Sequence, residues 1–130
     1  MPGSQTEFSL TKIGQVSVTV HDLERAVRFY RDKLGITFLF SASKMAFFDC
    51  EGVRLMLAVP EDSRFDHPAS IIYYNVDDIH DAYTILTRRG VKFETGPRLI
   101  YQTDDQELWM AFFRDSEENL LALMSETPSA

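Results

Sequence analysis

The feature that most constrains this chain is an internal repeat in which a strand, a helix and a group of strands are written twice. The first copy carries VTVHDLERAVRFYRDKLGI, Val18–Ile36, followed by FFDCEGVRLML, Phe47–Leu57. The second carries YNVDDIHDAYTILTRRGV, Tyr74–Val91, followed by FFRDSEENLLAL, Phe112–Leu123. Asp22 and Ala26 return 56 positions later as Asp78 and Ala82, whereas Phe47 returns 65 positions later as Phe112. The insertion responsible lies before Trp109, around PRLIYQTDDQ, where a loop is expected. At 130 residues the chain has the size of one domain. A single domain over 1–130 is therefore expected, with modules at about 10–60 and 69–126 and the polar, Pro-bounded Glu61–Pro68 segment as linker.

In each copy an alternating or apolar strand runs into an Asp, after which the hydrophobic period changes from two to about 3.6. Leu23, Val27, Tyr30 and Leu34 then share one helical face, with Asp22 as cap and Gly35 as terminator. In the second copy Ile79, Ala82, Tyr83 and Leu86 repeat the stripe between Asp78 and Gly90. Short runs of Phe, Val, Leu and Ile follow each helix, broken by the turn signals Cys50–Gly52 and Ser116–Asn119. The unit is βαβββ, written twice, and the fold class is α+β.

Charge and cysteine content narrow the partners. Thirteen Lys and Arg stand against 20 Asp and Glu, a net charge of -7, which disfavours nucleic acid or an anionic membrane as main partner. The single Cys50 excludes an internal disulfide, and no Cys/His cluster suggests structural zinc. No signal peptide pattern and no run of about 18 apolar residues is present. A cytoplasmic protein, with no membrane and no nucleic acid among its partners, is expected.

QVSVTVHDLERAVRFYRDKLGI and FFRDSEENLLAL resemble the two ends of the vicinal oxygen chelate superfamily. That group includes glyoxalase I, extradiol dioxygenases, methylmalonyl-CoA epimerase, fosfomycin-modifying enzymes and bleomycin-resistance binding proteins. The resemblance runs from about Ile13 to Ser125 and implies paired βαβββ modules whose curved sheets form a cup, commonly completed by a homodimer. It also implies four metal-ligand positions, which fall here at Gln15, near Met56, at Ile71 and at Ala122. Ile and Ala carry no side-chain donor, and an amide and a thioether are poor anchors for a hard divalent cation. No metal ligand and no cofactor are therefore assigned; a divalent metal held from elsewhere, for example through His67 or His80, is disfavoured.

Strand alternation assigns the lining of the cup. Val16, Val18 and Val20 suit the helix-facing core, which turns Gln15, Ser17 and Thr19 toward the cup. The same division brings Arg54, Met56 and Ala58, then Ile71, Tyr73 and Asn75, then Leu120, Ala122 and Met124 to that side. The ligand-binding candidates are Gln15, Ser17, Thr19, Arg54, Met56, Tyr73, Asn75, Trp109 and Ala122. Trp109 has two readings, a stacking wall for a planar ligand or a residue of the core or dimer interface. Phe47, Phe48, Phe112 and Phe113 read as core pairs, and His21 as structural at the strand-to-helix corner. No thiol nucleophile is assigned to Cys50, and no paired-carboxylate site to Asp77–Asp78 or Glu117–Glu118. Glu107 is the one carboxylate kept as an acid/base candidate, and no catalytic residue is otherwise assigned.

Three functions remain open on these residues. The first is a metal-independent binding protein, similar to the bleomycin-resistance branch, holding a small amphipathic or aromatic molecule in a homodimeric cup. The second is a glyoxalase-, epimerase- or dioxygenase-type enzyme, a lyase, isomerase or oxygenase, with an atypical metal set or none. The third is a protein-binding surface whose cup is filled by its own side chains, so pocket volume separates it from the other two.

Overall fold

A computed structural model describes residues 8, 10–68 and 70–129. The first module comprises β1 (Gln15–Thr19), α1 (Leu23–Arg28), β2 (Thr37–Ala42), β3 (Met45–Cys50) and β4 (Val53–Ala58). The second comprises β5 (Ile72–Asn75), α2 (Ile79–Arg88), β6 (Phe93–Gln102), β7 (Gln106–Arg114) and β8 (Leu120–Pro128). Each module forms a four-stranded sheet on the same plan, ordered β1-β4-β3-β2 and β5-β8-β7-β6. The strand before each helix pairs parallel with the last strand, and the other pairings are antiparallel. The α+β pair of βαβββ modules expected from the repeat is thus what the chain forms.

Both helices start where the sequence places their caps. The Asp22 carboxylate accepts from the Arg25 N–H at 3.1 Å, and Asp78 accepts from the Asp81 N–H at 3.1 Å, each filling a donor that the first turn leaves free. Gly35 and Gly90 follow the helices at φ of 74° and 92°, conformations that a side chain disfavours. The first helix differs from its expected form in one respect. After Arg28 it widens into a π-helical turn, Phe29–Lys33, in which the Leu34 N–H reaches the Phe29 carbonyl at 3.1 Å.

The insertion before Trp109 is not a loop. It lengthens the β6–β7 hairpin to strands of ten and nine residues, leaving Thr103–Asp105 between them. The consecutive Leu99, Ile100 and Tyr101, with a β-branched and an aromatic residue among them, favour an extended strand. Pro97, which cannot donate to a ladder, falls where the pairing slips between Thr95 and Arg98.

The helix-facing sides of both sheets merge into one core. Val18, Val20, Phe48, Leu55 and Leu57 of the first module join Ala111, Phe113, Leu121 and Leu123 of the second, with Tyr30 and Leu86 from the helices. Burying each large apolar side chain contributes roughly 1.5–3 kcal/mol, so this shared core is what holds the modules together.

Two seams join the modules, and they are built differently. At the first, the β7–β8 turn docks on α1. Tyr30 donates its hydroxyl to the buried Asp115 carboxylate at 2.7 Å, which also accepts from the Glu117 and Asn119 backbone N–H groups at 2.8 Å each. Asn119 bridges from Asp115 to the Thr19 carbonyl at 2.9 and 3.2 Å. Beside it, Glu117 accepts from Arg25 at 2.7 Å and from the His21 N–H at 2.8 Å. Burial raises the Glu117 pKa, but these donors outweigh burial and hold it below the usual carboxylate range. His21 itself is exposed and lies 3.2 Å from Asp66 of the linker.

At the second seam the β3–β4 turn faces β5 across a groove of about 740 Å³. Cys50, Glu51 and Val53 line one side and Ile72, Tyr74 and Asp77 the other. The buried Tyr74 hydroxyl has no hydrogen-bond partner among the described residues. Burial pushes both the Tyr74 phenol and the Cys50 thiol up, so neither is poised to ionise.

Candidate functional site

The faces of the sheets turned away from the helices hold most of the residues that alternation selected. In the first module Gln15 pairs with Arg54, Ser17 with Met56 and Thr19 with Ala58 along the parallel β1–β4 ladder. Met56 in turn opposes Phe47, and Ala58 opposes Met45. Side chains directly opposite on paired strands share a face, so these residues form three rows across the sheet. Phe65 of the linker lies over them, held by the Thr19 hydroxyl, which donates to the Phe65 carbonyl at 3.1 Å. Beneath it Ser17, Thr19, Met45, Met56 and Ala58 bound a hollow of about 230 Å³, with Lys44 and Glu61 among its other lining residues.

The hollow combines adaptable apolar surface from two methionines with the Ser17 hydroxyl, which can donate or accept, and the Thr19 hydroxyl, which, donating to Phe65, can still accept. Gln15 and Arg54 stand outside it. The Gln15 amide donates to the Met56 sulfur at 3.8 Å, and the Arg54 guanidinium lies 5.4 Å from the centre of the Phe47 ring. Phe47 also stacks on Phe40 at 4.7 Å, closing the sheet surface at that end.

The equivalent face of the second module is filled by its own side chains. Tyr73, Ala122 and Phe112 form one row, and Asn75, Met124 and Met110 the next. The Tyr73 and Phe112 rings meet edge to face at 6.0 Å, and Ala122 between them is fully buried. Ala122 is therefore a packing residue beneath two rings, and does not join the hollow. Tyr73 and Asn75 remain exposed on this face and border the open seam instead.

Three expectations require correction. Trp109 lies on the opposite side from the candidate ligand set, with Ala111 and Phe113, because alternation in β7 turns it toward α2. There it meets the His80 ring at 5.1 Å and donates its indole N–H to Glu107 at 3.0 Å, which is the core reading of this residue. Glu107 also accepts from Gln102 at 3.2 Å, near the tip of the long hairpin and apart from the hollow. The paired phenylalanines, read as core, are split by the pleat: Phe48 and Phe113 enter the shared core, while Phe47, itself buried, and the half-buried Phe112 face the other way. Reading MAFFD as a strict alternation would have found Phe47 and Met45; nothing in the linker sequence signals Phe65.

The four positions that the resemblance implies for metal ligands carry an amide, a thioether, a sec-butyl group and a methyl. Gln15 is engaged with Met56, Ile71 precedes β5, and Ala122 is covered, so this set does not fit a divalent cation. His67 and His80 do not converge either, one lying 3.1 Å from the Pro68 carbonyl and the other on Trp109. Among the described residues no three His, Cys, Asp or Glu side chains gather as a metal site. No helix there is long and apolar enough to cross a membrane.

Comparison with known proteins agrees with this architecture. A curated relative, the uncharacterized protein YraH of Bacillus subtilis (strain 168), is 27% identical over 134 residues, covering 86% of this chain and 96% of that protein. Among solved structures, a glyoxalase/bleomycin resistance protein/dioxygenase superfamily member from Sphaerobacter thermophilus superposes with a TM-score of 0.73 at 22% identity, covering 89% of this chain and 98% of the other. Lactoylglutathione lyase from Agrobacterium tumefaciens gives 0.72 at 20% identity, with 90% and 95% covered. At such identities the structures bear on fold alone. The family description "Glyoxalase/Bleomycin resistance protein/Dioxygenase superfamily" matches residues 12–123, and the chain belongs to that superfamily.

Proposed function

We propose that this protein binds a small amphipathic or aromatic molecule in the first-module hollow, without a divalent metal at the superfamily's ligand positions. The observation that carries this reading is the hollow under Phe65, where methionine and hydroxyl groups surround open space. Two thioethers and two hydroxyls select for an apolar body with one or two hydrogen-bonding groups. The net charge of -7 favours a neutral or cationic ligand over an anionic one at long range. The single cysteine suits a reducing, cytoplasmic setting.

A homodimer is part of the proposal. Outer strands β2 and β6 expose Leu39, Phe40, Leu99, Ile100 and Tyr101, and a second copy would cover both these side chains and the open ladder edges. Sedimentation at tens of micromolar, on the order of a functional dimer's range, should show a dimer; a monomer alone contradicts that part. For the site, a thermal-shift screen of neutral and cationic aromatic amphiphiles should yield stabilising compounds. Met56→Trp, which fills the hollow, should abolish the shift. A hit unaffected by that change would place binding elsewhere.

A further inference from the structure

We propose that a second site, on the helix-bearing side of the molecule, binds a small organic anion through its carboxylate or phosphate group. The site is the groove of about 660 Å³ between α1 with its π turn and the β6–β8 region of the second module. In a chain of net charge -7, this groove collects Arg25, Arg28, Lys33, Lys92 and Arg114. Two of these are committed, Arg25 to Glu117 at 2.7 Å and Arg114 to Glu94 at 2.5 Å. Arg28, Lys33 and Lys92 have no carboxylate within ion-pair distance among the described residues.

The acids of the groove are mostly occupied. Asp32 is hydrogen-bonded to Arg31 at 2.7 and 3.2 Å, Glu94 to Arg114, and Asp115 to Tyr30 and Asn119. Glu118 is the fourth; Arg114 bonds only its backbone carbonyl, so among the described residues the groove keeps three free cations, Arg28, Lys33 and Lys92, against one free carboxylate. The positive charge that remains is therefore offered to solvent rather than spent within the fold.

The floor and one wall add to the case. The Lys33 ammonium lies 5.8 Å from the centre of the Phe29 ring and 3.4 Å from where a side chain at Gly90 would begin. The absent side chain at Gly90 thus leaves the ammonium room beside an apolar surface formed by Phe29 and Phe93. Phe29 and Lys33 are the first and last residues of the π turn, and such turns occur frequently at functional sites. Ser116 contributes a buried hydroxyl that has no partner among the described residues and lines the same groove. Cations, an apolar floor and a spare hydroxyl fit an anionic head on an aromatic or acyl body.

Phenyl phosphate is the probe, followed through backbone amide chemical shifts. Saturable shifts are expected at Phe29, Lys33, Gly90 and Ser116, weakening as salt is raised, with inorganic phosphate binding the same amides less tightly. The Lys33→Gln/Lys92→Gln double variant should raise Kd about tenfold or more, as loss of two charge-assisted contacts implies. Arg28→Gln serves as the independent variant should the double variant lose its dispersed spectrum. Benzyltrimethylammonium should leave these amides unmoved. No saturable shift, shifts confined to the hollow under Phe65, or an affinity unchanged in a folded variant would each overturn the proposal.

Discussion

The two seams between the modules occupy corresponding places in the repeat yet use opposite chemistry. Counting three residues on from the first Phe of each FF pair, Cys50 matches Asp115. At Asp115 the second module's turn is tied to α1 by a buried carboxylate that receives four hydrogen bonds. At Cys50 the first module's turn satisfies itself, the Asp49 carboxylate accepting from the Gly52 N–H at 3.1 Å, and a groove separates it from β5. One backbone plan thus supports a clasped joint on one side and an open one on the other. A buried acceptor that is fully paired across the joint fixes geometry strongly, whereas a turn that satisfies its own polar groups leaves the spacing free to differ.

The largest test of this contrast is Asp115→Ala. It strands the Tyr30 hydroxyl and two backbone N–H groups in the core, and a loss of about 3 kcal/mol or more is expected in denaturant unfolding. A loss below about 1 kcal/mol would mean the clasp adds little. Tyr30→Phe should cost less, about 1–2 kcal/mol, since the carboxylate keeps its other donors.

Glu117 supplies a pH test with a defined sign. Its folded pKa is depressed, so its contribution is present above the unfolded pKa of about 4.3 and is lost as pH falls through the folded value. Glu117→Gln should therefore lower stability by about 1 kcal/mol at pH 7, with the gap to the parent protein closing under acid. A gap that stays constant from neutral to acid pH would show that the carboxylate's charge is irrelevant to the clasp. At the open seam the smallest effect is expected: Tyr74→Phe removes an unpartnered hydroxyl and should change stability by no more than about 0.5 kcal/mol, or raise it slightly. If it costs as much as Tyr30→Phe, the two seams are not different in kind.

Much of the fold was legible because it rests on local signals. Asp22 and Asp78 announce their helices, Gly35 and Gly90 end them, and the valines of β1 declare which face is buried. Resemblance to the superfamily supplied the pairing of the modules, which periodicity alone does not contain. The site was less legible for the same physical reason. Alternation placed Ser17, Thr19 and Met56 correctly on the open face, but not which part of that face stays empty. That depends on Tyr73 and Phe112 meeting over Ala122, and on Phe65 reaching across from the linker, contacts between residues distant in sequence. The π turn was hidden too, because Phe29–Lys33 reads as ordinary helix and only its packing distinguishes the wider turn.

If the hollow under Phe65 takes an organic ligand without metal, as proposed, its methionines are built-in reporters. Met45 and Met56 line the hollow, while Met110 and Met124 lie on the filled face of the second module. Methyl-labelled methionine spectra should be recorded during separate titrations with benzyltrimethylammonium and with zinc. Saturable shifts of the Met45 and Met56 methyls are expected with the organic cation, with little change at Met110 and Met124, and none with zinc. Stoichiometric zinc binding that moves Met56, or an organic cation that moves only Met110 and Met124, would contradict the proposal.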